Sequence, residues 1–168
     1  MYVASSPDRR LDLKQLMSTL LAQGRLQQEG AEQALIAHRQ ATRDSTHPLV
    51  FLAEQQLHDL HRPGQILDIE TLTAWLAEQC EQPYLRIDPL KIEVTTVTAL
   101  MSFAFAQRHK ILAIAADEHA VTIASAQPYV CGWEADLTHA LKRPVKRVIA
   151  NPLEIERLSL ELFTLAKS

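Results

Sequence analysis

The stretch Pro83-Tyr84-Leu85-Arg86-Ile87-Asp88-Pro89-Leu90-Lys91-Ile92 separates two halves of different character. Before it, apolar residues recur only at helical spacing. After it, helical periods alternate with short, partly β-branched apolar runs. A chain with this division is expected to fold as α+β: a helical part over 1–82, then a small αββαβα part over 83–168 whose short sheet is covered by helices.

In the first half, Leu13, Leu16, Met17, Leu20 and Leu21 predict a helix over about residues 11–23. Gly24 stands where a left-handed residue ends such a helix at little cost. A second amphipathic segment runs from Gln27 to Arg39, with Ala31, Ala34 and Leu35 on one face. The two form an α-hairpin, and neither helix can bury its stripe alone. Ala41 to Pro48 reads as a loop, and a helix follows across Leu49, Val50, Leu52 and Ala53, fading before the breaker Arg62-Pro63-Gly64. Asp68 reads as the N-cap of a helix through Leu72, Trp75, Leu76 and Gln79, and Pro83 closes the helical half.

In the second half, Val94, Val97, Met101, Ala104 and Phe105, widened by Leu100 and Phe103, predict one largely buried helix. Ile111–Ala116 and Ala120–Ala126 form a β-hairpin around Asp117-Glu118-His119. Pro128 fits the first turn of a helix carrying Val130, Trp133, Leu137 and Leu141, which Pro144 stops. Val145 to Ala150 reads as a third strand. Asn151 caps a last helix with Pro152 in its first position and Glu154 placed to return the bond, burying Ile155, Leu158, Leu162 and Leu165.

The chemistry the chain can support is narrow. With 17 basic against 20 acidic residues and a net charge of −3, it has no general attraction to nucleic acid or anionic lipid. No run approaches the roughly 20 apolar residues of a membrane span, and Met1 to Arg10 lack the apolar core of a leader peptide. Cys80 and Cys131 have no CxxC partner and read as free, buried thiols. The nearest approach to a P-loop, Gly24 to Gly30, lacks the spacing, the lysine and the hydroxyl, so the chain is not expected to hydrolyse ATP. His58-Asp59-Leu60-His61 is the one hint of a metal, two histidines sharing a helical face, but a structural zinc wants four ligands. Lys142, Arg143, Lys146 and Arg147 surround Pro144, where basic groups suit a helix C-terminus.

The order of the Leu16-to-Leu35 hairpin, His47-Pro48-Leu49-Val50, Leu72-Thr73-Ala74-Trp75-Leu76-Ala77, the Pro83–Ile92 stretch, Val148-Ile149-Ala150-Asn151-Pro152-Leu153-Glu154-Ile155 and Phe163-Thr164-Leu165-Ala166-Lys167-Ser168 resembles the N-terminal region of the traffic ATPases of type II secretion and type IV pilus assembly, the GspE/PulE/PilB-like family. The resemblance implies a non-catalytic docking and regulatory module without a cofactor. It also implies a cytoplasmic location at the inner-membrane face, held there by the cytoplasmic part of a platform protein, and a hexameric ATPase motor beyond Ser168. Nucleic-acid binding and direct membrane insertion are not expected. The docking patch is expected on the 11–39 hairpin, with Leu16, Leu20 and Leu35 themselves expected in the core rather than at the interface. Some family members bind cyclic di-GMP through paired RLG-and-leucine motifs. The positions here would be Leu16, Gly24 and Leu35, then Leu72, Leu76 and Gln79. Gln15 stands for the first arginine, Met17 for the glycine and His38 for the glutamine, and Gln56-Leu57-His58 falls where the second RLG belongs. Without either arginine, the guanidinium that stacks on guanine or pairs with phosphate is missing.

Overall fold

The computed structural model describes residues 7–41 and 46–167. Outside them lie most of the stretch read for a leader peptide, the middle of the loop expected at Ala41–Pro48, and Ser168. The chain divides into two compact units, residues 11–76 and residues 77–167 with the N-terminal arm 7–10.

The first unit is helical. Helix α1 (Leu13–Ala22) starts with the Asp12 carboxylate accepting from the Gln15 amide at 3.3 Å and buries Leu13, Leu16, Met17 and Leu20. It ends as the sequence predicts: Gly24 has φ +67°, its N–H bonds the Leu21 carbonyl, and the Arg25 N–H returns to Leu20 at 2.9 Å. Helix α2 (Gln28–Gln40) lays Ala31 and Ala34 inward, and α3 (Pro48–Glu54) adds Leu49 and Leu52. Helix α4 (Ile69–Cys80), within which the division between units falls, is capped by Asp68, whose carboxylate accepts from the Thr71 amide at 2.8 Å. Leu72, Trp75 and Leu76 are buried, and the Trp75 indole donates to Gln23 Oε1 at 2.8 Å.

The segment 57–67 is no helical extension, contrary to the shared histidine face. It doubles back on itself: the Leu67 N–H bonds the Leu57 carbonyl at 2.8 Å, the Asp59 N–H bonds that of Gln65 at 3.0 Å, and Gly64 turns the chain at φ +81°. The reason is Asp59, whose side chain is fully buried. Arg25 grips the carboxylate with two bonds, at 3.2 and 3.1 Å, Arg62 Nε adds a third at 2.8 Å, and the His61 amide a fourth at 3.0 Å. Burial alone would raise this carboxyl, but the two guanidiniums and the amide outweigh it and hold its pKa at about 2, from an ordinary 3.8. Arg62 also reaches Thr71 Oγ1 at 2.9 Å, which ties the segment to the first turn of α4.

The second unit holds a sheet in the order β1-β2-β3. Strands β1 (Ile111–Ala116) and β2 (Val121–Ser125) are the predicted hairpin, antiparallel with Ile111 opposite Ser125 and a bulge at Ala113–Ala115. Its turn is fixed by Asp117, which accepts from the His119 and Ala120 amides at 2.7 and 2.9 Å. The crossover helix α7 (Gly132–Leu141) allows β3 (Val145–Ile149) to run parallel to β2, from Val121 opposite Val145 to Ser125 opposite Ile149. The proline-flanked stretch then joins the sheet: Ile149 N–H bonds the Pro83 carbonyl at 2.8 Å, and Leu85 N–H bonds that of Ile149 at 2.9 Å.

The predicted single helix after residue 93 is two, α5 (Val94–Thr98) and α6 (Phe103–His109). Ser102 breaks the run by capping α6, accepting from the Phe105 amide at 3.1 Å. The break shifts the buried face: Val97, Met101 and Ala106 are buried, whereas Ala104 is exposed. Helix α8 (Pro152–Ala166), capped by Asn151 Oδ1 on the Leu153 amide at 2.9 Å, packs with α5 and α6 over β1. Glu154 meets Arg157 Nε at 2.7 Å. Ile155, Leu158 and Leu162 enter the core as predicted; Leu165, in the last turn, is 54% exposed.

Replacing Leu158 by Ala should cost about 2–5 kcal/mol in urea unfolding, against less than about 0.5 kcal/mol for Leu165→Ala. A depressed carboxyl stabilises the fold above its unfolded pKa and is lost as pH falls through the folded one. Asp59 should therefore contribute about 2 kcal/mol at neutral pH that disappears between about pH 4 and pH 2. Asp59→Asn, which leaves Arg25 and Arg62 without their charge partner, should cost about 3 kcal/mol at pH 7 and flatten that acid limb in urea titrations run across pH.

Candidate functional site

Of the positions that the cyclic di-GMP motif would use, Leu16, Leu72 and Leu76 lie in the core of the helical unit, with Leu72 and Leu76 at 0% and 1% exposure. Leu35 is half-buried, and Gly24 is the left-handed turn after α1. These five fall in the first unit, and Gln79, half-buried on α4, falls in the second. Leu20 is fully buried, so on the 11–39 hairpin Leu16 and Leu20 face the core. The large apolar side chains that the helical unit leaves exposed are ones the sequence pattern did not single out: Ile36 on α2 at 51%, with Leu60 and Ile66 on the Asp59-centred turn at 43% and 36%. The signal for Ile36 was in the sequence, because it falls next to the Ala31–Ala34–Leu35 face rather than on it.

The other chemistry-bearing residues are placed as follows. His58 pairs its backbone with Ile66, while the His61 ring meets the Gln23 carbonyl at 3.1 Å, so the two imidazoles do not share a helix face. Asp59, which stands between them in the sequence, is taken by two arginines. Among the described residues no group of three or more His, Cys, Asp or Glu side chains is disposed to hold a metal. Cys80 and Cys131 are free and half-buried, and burial pushes the Cys80 thiol up.

The basic cluster around Pro144 is not a uniform helix-end feature. Lys142 takes the left-handed position that ends α7, and Arg143 donates to the Asp117 carbonyl at 2.8 Å. Arg147 turns inward from β3. Its guanidinium lies 4.9 Å from the Trp133 ring centroid and donates to Cys131 Sγ at 3.1 Å and to the Gln127 carbonyl at 3.2 Å. These contacts gather at the start of α7. That helix does not begin at Pro128, as its sequence suggests: residues 127–130 form a turn, closed by the Val130 N–H on the Gln127 carbonyl, and the helix starts at Gly132. Cys131 supplies no side-chain cap, and Asp8 from the N-terminal arm does so instead, accepting from the Cys131 and Gly132 amides at 2.9 and 3.0 Å.

Among the described residues no helix is long and apolar enough to cross a membrane. The MshEN domain family matches residues 80–167, just over half of the chain. The type IV pilus assembly ATPase TfpB of Acinetobacter baylyi is 30% identical over 159 residues, which is 94% of this chain and 27% of that protein. The chain thus spans about a quarter of that relative's length. A structure of MshE with cdg superposes with a TM-score of 0.54 at 20% identity, covering 91% of this chain and 99% of that one. The N-terminal domain of XpsE does so with a TM-score of 0.50 at 13% identity, covering 90% and 96%. At such identities the likeness speaks for the fold, and the fold is the one that the sequence resemblance implied. With just over half of its length matched, this chain belongs to the MshEN domain family.

Proposed function

We propose that this chain is the docking and regulatory module of a type II secretion or type IV pilus assembly ATPase, binding the cytoplasmic part of an inner-membrane platform protein and positioning a hexameric motor. The observation that carries the reading is the outward placement of Ile36, Leu60 and Ile66 on a unit whose own core is already filled by Leu20, Leu49, Leu52 and Leu72. Apolar side chains that the fold does not need at its surface are what a protein partner covers. The Arg25–Asp59–Arg62 cluster supports the same reading, because it holds the turn bearing Leu60 and Ile66 rigid and so lowers the ordering cost of binding. The module works in the cytoplasm, at the membrane face only through its partner.

A second reading, cyclic di-GMP sensing, draws on the fold likeness to MshE with cdg. Against it stand Gln15 in place of the motif's arginine and the burial of Leu16, Leu72 and Leu76.

Ile36→Asp should weaken binding to the platform protein's cytoplasmic domain by about tenfold or more in calorimetry, at an unchanged melting temperature, while Gln79→Ala leaves binding intact. Equal affinity of the Ile36 variant and the wild type would remove the helical surface from the docking site. Titration of the wild type with cyclic di-GMP should give no binding heat; micromolar or tighter affinity would put the sensor reading first.

A further inference from the structure

We infer that the outer face of α8 is a self-association surface, on which a second copy of this chain lays its own α8 antiparallel across a two-fold axis. Helix α8 turns Ile155, Leu158 and Leu162 into the core of its unit. At about 100° per residue, Leu153, Glu156, Arg157 and Leu160 fall together on the opposite side of the helix. Leu153 and Leu160 are 48% and 59% exposed, and Glu156 and Arg157 are exposed between them. The fold makes no use of the two leucines, which recur on one face after two turns.

The pattern on this face selects the partner. In an antiparallel pair of α8 helices, one register sets Leu153 against Leu160 of the second copy, and Leu160 against its Leu153. The same register sets Glu156 against Arg157 of the second copy, and Arg157 against its Glu156, because both pairs are centred midway between residues 156 and 157. No other antiparallel register makes both sets of pairs. The face is therefore complementary to itself, in shape of pattern and in charge, which is the requirement of an isologous interface. The leucines supply apolar burial at either end, and the reciprocal ion pairs fix the alignment.

The charged groups are available for it. Arg157 gives Nε to Glu154 at 2.7 Å and Nη1 to Glu161 at 3.0 Å, both within α8, which holds the guanidinium along the outer surface with Nη2 open. Among the described residues Glu156 makes no hydrogen bond or ion pair. The overlap of about ten residues, or 15 Å of each helix, is short, so the dimer of the module alone is weak and reversible. The inference does not depend on the docking proposal, which concerns the helical unit.

The test is sedimentation equilibrium of the 168-residue chain from about 10 μM to about 1 mM. Wild type should follow a monomer–dimer equilibrium. Leu160→Asp, Glu156→Arg and Arg157→Glu, all at exposed positions, should each weaken the dimer about tenfold or more, the last two by setting like charges face to face. An equimolar mixture of the Glu156→Arg and Arg157→Glu chains should form a heterodimer of about wild-type affinity, since every charge then meets its opposite. Mixing would not repair a defect that either substitution caused within its own chain. A wild type that stays monomeric over this range, or charge variants that fail to complement each other, would overturn the proposal. Loss of platform-domain binding by Leu160→Asp without any self-association of the wild type would do so too, and would assign the face to that partner.

Discussion

The unpaired N–H groups at helix starts are the constraint on which this structure depends. Its helices run from 5 to 15 residues, too short to persist in water without capping and packing. Most starts solve the problem within a few residues: Asp12 for α1, the His47 ring for α3, Asp68 for α4, Ser102 for α6 and Asn151 for α8. Helix α7 has Cys131 at that position, which makes no side-chain cap bond, and takes its acceptor from Asp8. One local deficiency thus becomes a long-range tie. It fixes the arm on the helix that carries the chain across from β2 to β3, and that crossover is what permits the parallel pairing of those strands.

Two aspartates show how environment sets the task of the same side chain. Asp59 is fully buried, and two arginines and an amide compensate it, so it serves as a fixed structural centre whose removal strands two cations. Asp8 lies at the surface, bound by backbone amides alone through a side chain on a terminal arm, so its position can be vacated without leaving a buried charge behind. The first holds one turn of the helical unit rigid. The second ties the N-terminal arm to the start of α7.

What could be read from the sequence was local. The Gly24 helix end, the Asp68 and Asn151 caps, the Asp117 turn and the third strand each follow from residues within a few positions of one another, and each stands in the structure. The misreadings arise where a distant or competing partner decides. Pro128 suggested a helix start because nothing nearby reveals that Asp8 will cap a later one. His58 and His61 suggested a shared face because the helical period hides a carboxylate drawn to Arg25, 34 residues earlier. Periodicity joined α5 to α6 across Ser102, whose hydroxyl prefers to cap, and carried the buried stripe of α8 one turn too far, to Leu165.

The same distinction bears on the candidate ligand positions. Leu16, Leu72 and Leu76 match a leucine pattern, yet the helical core requires apolar side chains at each of these places whether or not a ligand is bound. Their presence therefore carries almost no information about binding. Discrimination rests with polar groups, since a pocket that must hydrogen-bond its ligand pays heavily for a missing donor, and far less for a trimmed methylene. Gln15 and His38 stand at those discriminating places, and neither offers a guanidinium. On the α/β unit the polar groups at the start of α7 are already matched: Asp8 accepts from both amides, and both terminal nitrogens of Arg147 have acceptors.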